Sequence, residues 1–89
     1  MKYRSRTEVV ASILQAAMDG ATKTKIMYRA FLSFAQLKEY LLILEENDLL
    51  HYNKQEGKFI ITNKGIKFLH IYEQLDNLIK IRPESVGES

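Results

Sequence analysis

The stretch SFAQLKEYLLILEENDLLHY, residues 33–52, changes character part-way along. Ser33-Phe34-Ala35-Gln36 has the S-x-x-Q form of a capping box, in which two otherwise unpaired amides at a helix start are satisfied reciprocally. A helix is therefore predicted from about residue 34 to 47. Leu37, Leu41 and Leu44 recur at three- and four-residue intervals and form an apolar stripe, with Tyr40 beside it. Leu42 and Ile43 widen the stripe, so the back of this helix is expected to meet more than one neighbour. Asn47-Asp48 interrupts the pattern, and Leu49-Leu50-His51-Tyr52 begins an extended run. A short helix that passes straight into a strand leaves few folds open to a chain of 89 residues.

Upstream, Ser5-Arg6-Thr7-Glu8 is another capping box. Val9, Val10, Ile13, Leu14 and Ala17 follow at helical spacing, and Gly20 is a fitting stop, so a first helix is predicted over about 6–18. Thr22 can cap a second, short helix over Lys23–Ala30, with Ile26, Met27 and Ala30 turned inward and Phe31-Leu32 expected to close it with apolar contacts. Only about three residues then precede the helix at 34, the length of a turn that joins two helices steeply. Downstream, Lys58-Phe59-Ile60-Ile61-Thr62 is a second strand. The polar segment Asn53–Gly57 makes it a hairpin with Leu49–Tyr52. Thr62 can cap a last helix from about Asn63 to Ile81, ended by Pro83, with Glu84–Ser89 as a frayed tail. Three helices, a hairpin and a helix make a mostly α (α+β) chain. It is a winged helix-turn-helix with a two-stranded β-wing at residues 1–62, a long C-terminal dimerisation helix at 63–82 and a tail at 83–89. Asn47-Asp48 is the corner between the recognition helix and the wing.

A chain of this length forms one domain, and an apolar fraction of 46% supports only a small core, which oligomerisation commonly extends. Cysteine is absent, which excludes disulfides, thiolate zinc sites and cysteine nucleophiles. His51 and His70 lack metal-ligand spacing, and Glu45, Glu46 and Asp48 read as a polar helix end beside no base or nucleophile. The four glycines are scattered and form no phosphate loop. No enzymatic step, metal, cofactor or small-molecule substrate is expected. MKYRSRTEVV has neither a long apolar run nor a small-residue cleavage site, so no export signal is expected, and no segment reaches the roughly 18 apolar residues of a membrane span. A cytoplasmic, nucleoid-associated location is expected.

The charge is polarised. Residues 1–38 hold seven basic side chains against two acidic ones, whereas residues 39–89 hold six against nine. Such asymmetry suits an anionic partner met by one face, and equally a solvated surface of uneven charge. In a winged helix, duplex DNA takes the recognition helix in its major groove while the hairpin reaches the backbone or minor groove. With the leucine stripe inward, the opposite face is expected to carry Phe34, Gln36, Glu39 and Tyr40, flanked by Ala35 and Lys38. Gln36 has two roles open: contact with a base edge, notably adenine, and capping. Tyr40 is likewise open between core and DNA. Ser33 and Lys38 suit phosphates, as do Lys23 and Lys25 at a helix start, Lys54 and Lys58 at the wing tip, and the arm of Lys2, Arg4 and Arg6. Glu39 repels the backbone unless it accepts from cytosine or pairs with a lysine. Roughly six neutralised phosphates per protomer would make binding steeply salt-dependent.

The last helix is apolar over more than one face. Ile66 and Leu69 are expected to pack on the domain. Phe68, Ile71, Tyr72, Leu75, Leu78 and Ile79 supply the surface for a homodimer, with Ile71, Leu75 and Leu78 at the spacing of a coiled-coil seam.

Four blocks, RSRTEVVASILQAA, GATKTKIMYRAFLSFAQLKEYL, LEENDLL and TNKGIKFL, span nearly the whole chain. In these it resembles small archaeal winged-helix regulators, which include the ten-kilodalton chromatin-type proteins of Sulfolobus that dimerise through an antiparallel coiled coil. The resemblance implies dimeric binding of double-stranded DNA without an enzymatic step, by a transcriptional regulator or an architectural protein. Asn47-Asp48 stands where that family often has glycine; Asn tolerates the left-handed conformation, so the corner is expected to survive. Between DNA and the alternative, a winged helix that uses Phe34 and Tyr40 to hold another protein, the basic residues near the recognition helix favour DNA.

Overall fold

The computed structural model describes residues 5–78. Lys2, Arg4, Ile79, Ile81, Pro83 and the expected tail lie outside the described residues. Helix α1 spans Arg6–Ala16 and opens on the Ser5 box: the Glu8 amide donates to Ser5 Oγ at 3.1 Å and the Ser5 amide to Glu8 Oε1 at 3.0 Å. It ends slightly earlier than the apolar spacing predicts, in a turn that leads to Gly20 at φ +86°. Helix α2 spans Lys23–Ala30, and Thr22 Oγ1 accepts from the Lys25 amide at 3.2 Å. Helix α3 spans Phe34–Glu46, and its box closes as the Gln36 amide donates to Ser33 Oγ at 3.2 Å and the Ser33 amide to Gln36 Oε1 at 3.0 Å.

Leu37, Leu41 and Leu44 are buried, as the stripe required. Leu42 and Ile43 are not part of it; both are exposed. The rotation of about 100° per residue carries Leu42 from the edge of the stripe to the opposite side of the helix. Phe31 also departs from expectation. It takes a left-handed conformation at φ 56° and leaves its ring 84% exposed, so that Leu32 alone closes α2 against the core.

Strand β1, Leu50–Asn53, pairs antiparallel with β2, Lys58–Ile61, in the register Leu50 to Ile61 and Asn53 to Lys58. Strand β1 starts one residue later than predicted and takes in Asn53, and β2 stops one residue short of Thr62. At the corner before β1 the left-handed residue is Asp48, at φ 60°, and not Asn47, whose side-chain amide donates to the Ile43 carbonyl at 2.8 Å. A third piece of extended chain goes unsignalled in the sequence: Ala21 pairs with Phe59 through both amides, at 3.0 and 2.8 Å, and sews the hairpin to the α1–α2 connection.

Helix α4, Asn63–Leu78, starts at a crowded junction. Thr62 Oγ1 accepts from the Gly65 amide at 3.0 Å and donates to the Asp48 carbonyl at 2.7 Å, while Lys64 Nζ donates to the Asn47 carbonyl at 2.9 Å. The corner after α3 and the start of α4 thus hold each other. The core lies among α1, α2, α3 and the hairpin. Ile13, Leu14, Ile26, Leu37 and Leu44 are fully buried at its centre, each contributing about 1.5–3 kcal/mol by leaving water. Leu69 joins that core from α4, but Ile66, expected to pack beside it, is partly exposed.

Candidate nucleic-acid interface

Two helix starts converge on one aromatic ring. Lys23 Nζ, from the first residue of α2, lies 5.6 Å from the centroid of Phe34, and Lys38 Nζ, one turn along α3, lies 5.8 Å from it. Each exposed cation–π contact contributes about 0.5–1 kcal/mol, enough to bias two flexible lysines toward the ring while their ammonium donors still face water. Three residues singled out from the sequence are therefore brought together, from segments a dozen residues apart. Lys25 is exposed on the same first turn of α2 as Lys23. Lys23 also lines an open groove of about 350 Å³ with Glu45, Tyr52, Gly57 and Phe59, which links the start of α2 to the flank of the hairpin.

The outward face of α3 differs from the expected one. Tyr40 is half-buried against the core, so core is the role the geometry shows. Gln36 is held in the capping box, which leaves only its amide donors for a second partner. The exposed face instead carries Ala35, Lys38, Glu39, Leu42 and Glu46, with Leu42 59% exposed near its middle. Leu42 could have been found from the sequence: with Leu37, Leu41 and Leu44 fixed inward, the helical rotation leaves it no core-facing position.

The comparisons agree with this architecture. The sequence model of the family described as winged helix-turn-helix matches residues 3–80. The chain belongs to the winged helix-turn-helix family. It is also similar to an uncharacterized protein of Methanocaldococcus jannaschii, 32% identical over 81 residues that cover 90% of this chain and 81% of that protein. For a winged helix-turn-helix domain this membership points to DNA binding, and no catalytic step comes with it.

The remaining site residues sit as follows in this winged helix-turn-helix chain. Arg6 is exposed at the first position of α1, and Arg4 lies outside the described residues. The wing tip is tight: Asn53 Oδ1 accepts from the amides of Gln55 and Glu56 at 2.9 and 3.1 Å, and Gly57 closes the turn at φ +66°. Lys54 is exposed in that turn. Lys58 is exposed too; paired with Asn53 it flanks the wing tip, and its aliphatic stem lies beside Gly20. On α4, Phe68 and Tyr72 stack at 6.5 Å and pack half-buried against the core, which makes them chiefly intradomain residues. Ile71, Leu75 and Leu78 are exposed, from 51% at Ile71 to 80% at Leu78. Ile79 lies outside the described residues. Among these residues no helix is long and apolar enough to cross a membrane.

Proposed function

We propose that this chain binds double-stranded DNA as a homodimer and serves as a transcriptional regulator or an architectural DNA-binding protein of the nucleoid. The observation that carries the proposal is the meeting of Lys23, Phe34 and Lys38 at the joint starts of α2 and α3, where a winged helix meets its duplex. Lys25, Ser33, Lys54, Lys58, Arg4 and Arg6 extend it as phosphate contacts, and the exposed stripe of Ile71, Leu75 and Leu78 supports the dimer. The likeness to chromatin-type proteins of Sulfolobus rests on the four sequence blocks, and an antiparallel pairing of the α4 helices rests on that likeness.

A second reading has its own observation. Leu42 and Ile43 are exposed beside Glu39 and Glu46, an apolar and acidic surface that suits a protein partner better than a phosphate backbone. A gel shift on random-sequence duplex at low salt separates the two. Retardation that weakens steeply as salt is raised is expected. No shift, or a shift indifferent to salt, would remove the DNA reading.

A further inference from the structure

We infer that α3 selects duplexes by A·T pairs, which it recognises through the thymine methyl group. The inference rests on the duplex reading above and narrows it to a class of site. Along its middle the outward face of α3 is apolar. The Gln36 side-chain carbonyl is engaged in the cap, and Lys38 leans over Phe34. What the line between them offers is carbon, from Ala35 and Leu42, and carboxylate, from Glu39.

In the major groove each base pair shows a distinct pattern. A G·C pair presents the N7 and O6 acceptors of guanine and the N4 amino donor of cytosine; a carboxylate can accept from that amine as from adenine's, but an alkyl group finds no apolar partner there. An A·T pair presents a methyl group and the adenine N6 amino donor. Ala35 and Leu42 lie seven residues apart, two turns along one line of the helix, with Glu39 between them. An alkyl, carboxylate, alkyl row of this kind complements methyl groups flanking an exocyclic amine. Lys23 and Lys38 at the edge meet the phosphates and hold the row over the groove floor, where Glu39 is farthest from the backbone charge.

The test compares two duplexes of one A·T-rich sequence, one made with thymine and the other with deoxyuridine, which keeps the pairing and loses only the methyl. Binding of the full chain is measured for both at one low salt concentration. The thymine duplex is expected to bind tighter by about fourfold for each methyl buried. Leu42→Ala, an exposed position in a helix that accepts alanine readily, is expected to lower affinity for the thymine duplex toward that for the deoxyuridine duplex, so that its thymine-to-uracil ratio falls toward one. Equal affinity of the unaltered chain for the two duplexes would overturn the methyl inference and leave the duplex reading standing. Failure to bind either would overturn both, and an undiminished ratio in Leu42→Ala would remove Leu42 from the row.

Discussion

Thr62 illustrates how much one hydroxyl can organise. Its oxygen accepts from the Gly65 amide in the first turn of α4, and its proton goes to the Asp48 carbonyl at the corner where α3 turns into β1. That corner holds a non-glycine residue at φ 60°, a conformation that is unfavourable for Asp by about 1 kcal/mol and needs local support. Thr62→Val keeps the shape and removes both bonds. It is expected to destabilise the fold by about 1–2 kcal/mol, read as a lower urea midpoint at unchanged slope. A loss under about 0.5 kcal/mol would mean that water replaces the hydroxyl and that the corner stands without it.

Among the elements, α4 is the one whose placement depends most on contacts remote in sequence. Gly65 sits where a Cβ would come within 2.5 Å of the Leu49 carbonyl oxygen and 2.6 Å of Ile61 Cγ1. Alanine gains about 1 kcal/mol of helix propensity over glycine, but the obstacle here includes backbone, and overpacking of this kind typically exceeds that gain at about 1–3 kcal/mol. Gly65→Ala is therefore expected to lower the thermal midpoint, and a raised one would contradict the close approach. The same contrast separates what the sequence discloses from what it conceals. The Ser5 and Ser33 boxes and the Thr22 cap were legible because each is a set of hydrogen bonds closed within four residues. The Ala21–Phe59 pairing was not, since its partners lie far apart in sequence and neither carries a local signal. Leu42 differs from Leu41 in orientation and not in residue type, so only the helical rotation, and not composition, shows that it faces solvent while Leu41 faces the core. For the site, the sequence indicated the lysines and Phe34 but not that Lys23 and Lys38 share the ring, because that depends on the angle between α2 and α3.

For the whole molecule, the proposed dimer ties the stripe on α4 to the strength of DNA binding. Beyond Tyr72 the described part of α4 leaves the core, and Ile71, Leu75 and Leu78 face water in the isolated chain. In the proposed dimer this stripe would pair with its copy, and two joined reading heads would bind one after the other at high effective concentration, which raises affinity by factors of 10² or more without a new contact. Leu75→Lys puts a charge on the seam at a position already half-exposed, so the domain is expected to stay folded, with an unchanged circular dichroism spectrum, while sedimentation reports a monomer. Its binding to duplex is expected to weaken by about 10² or more, and its dependence on salt to change in a telling way. With roughly six phosphates neutralised per protomer, the logarithmic salt slope should be about −11 for the dimer and about −5 for the variant. A halved slope accompanying loss of the dimer would tie both heads to one binding event. A variant that is monomeric yet keeps the full slope and affinity would show that a single head carries all the phosphate contacts, and would dissociate the α4 seam from DNA binding altogether.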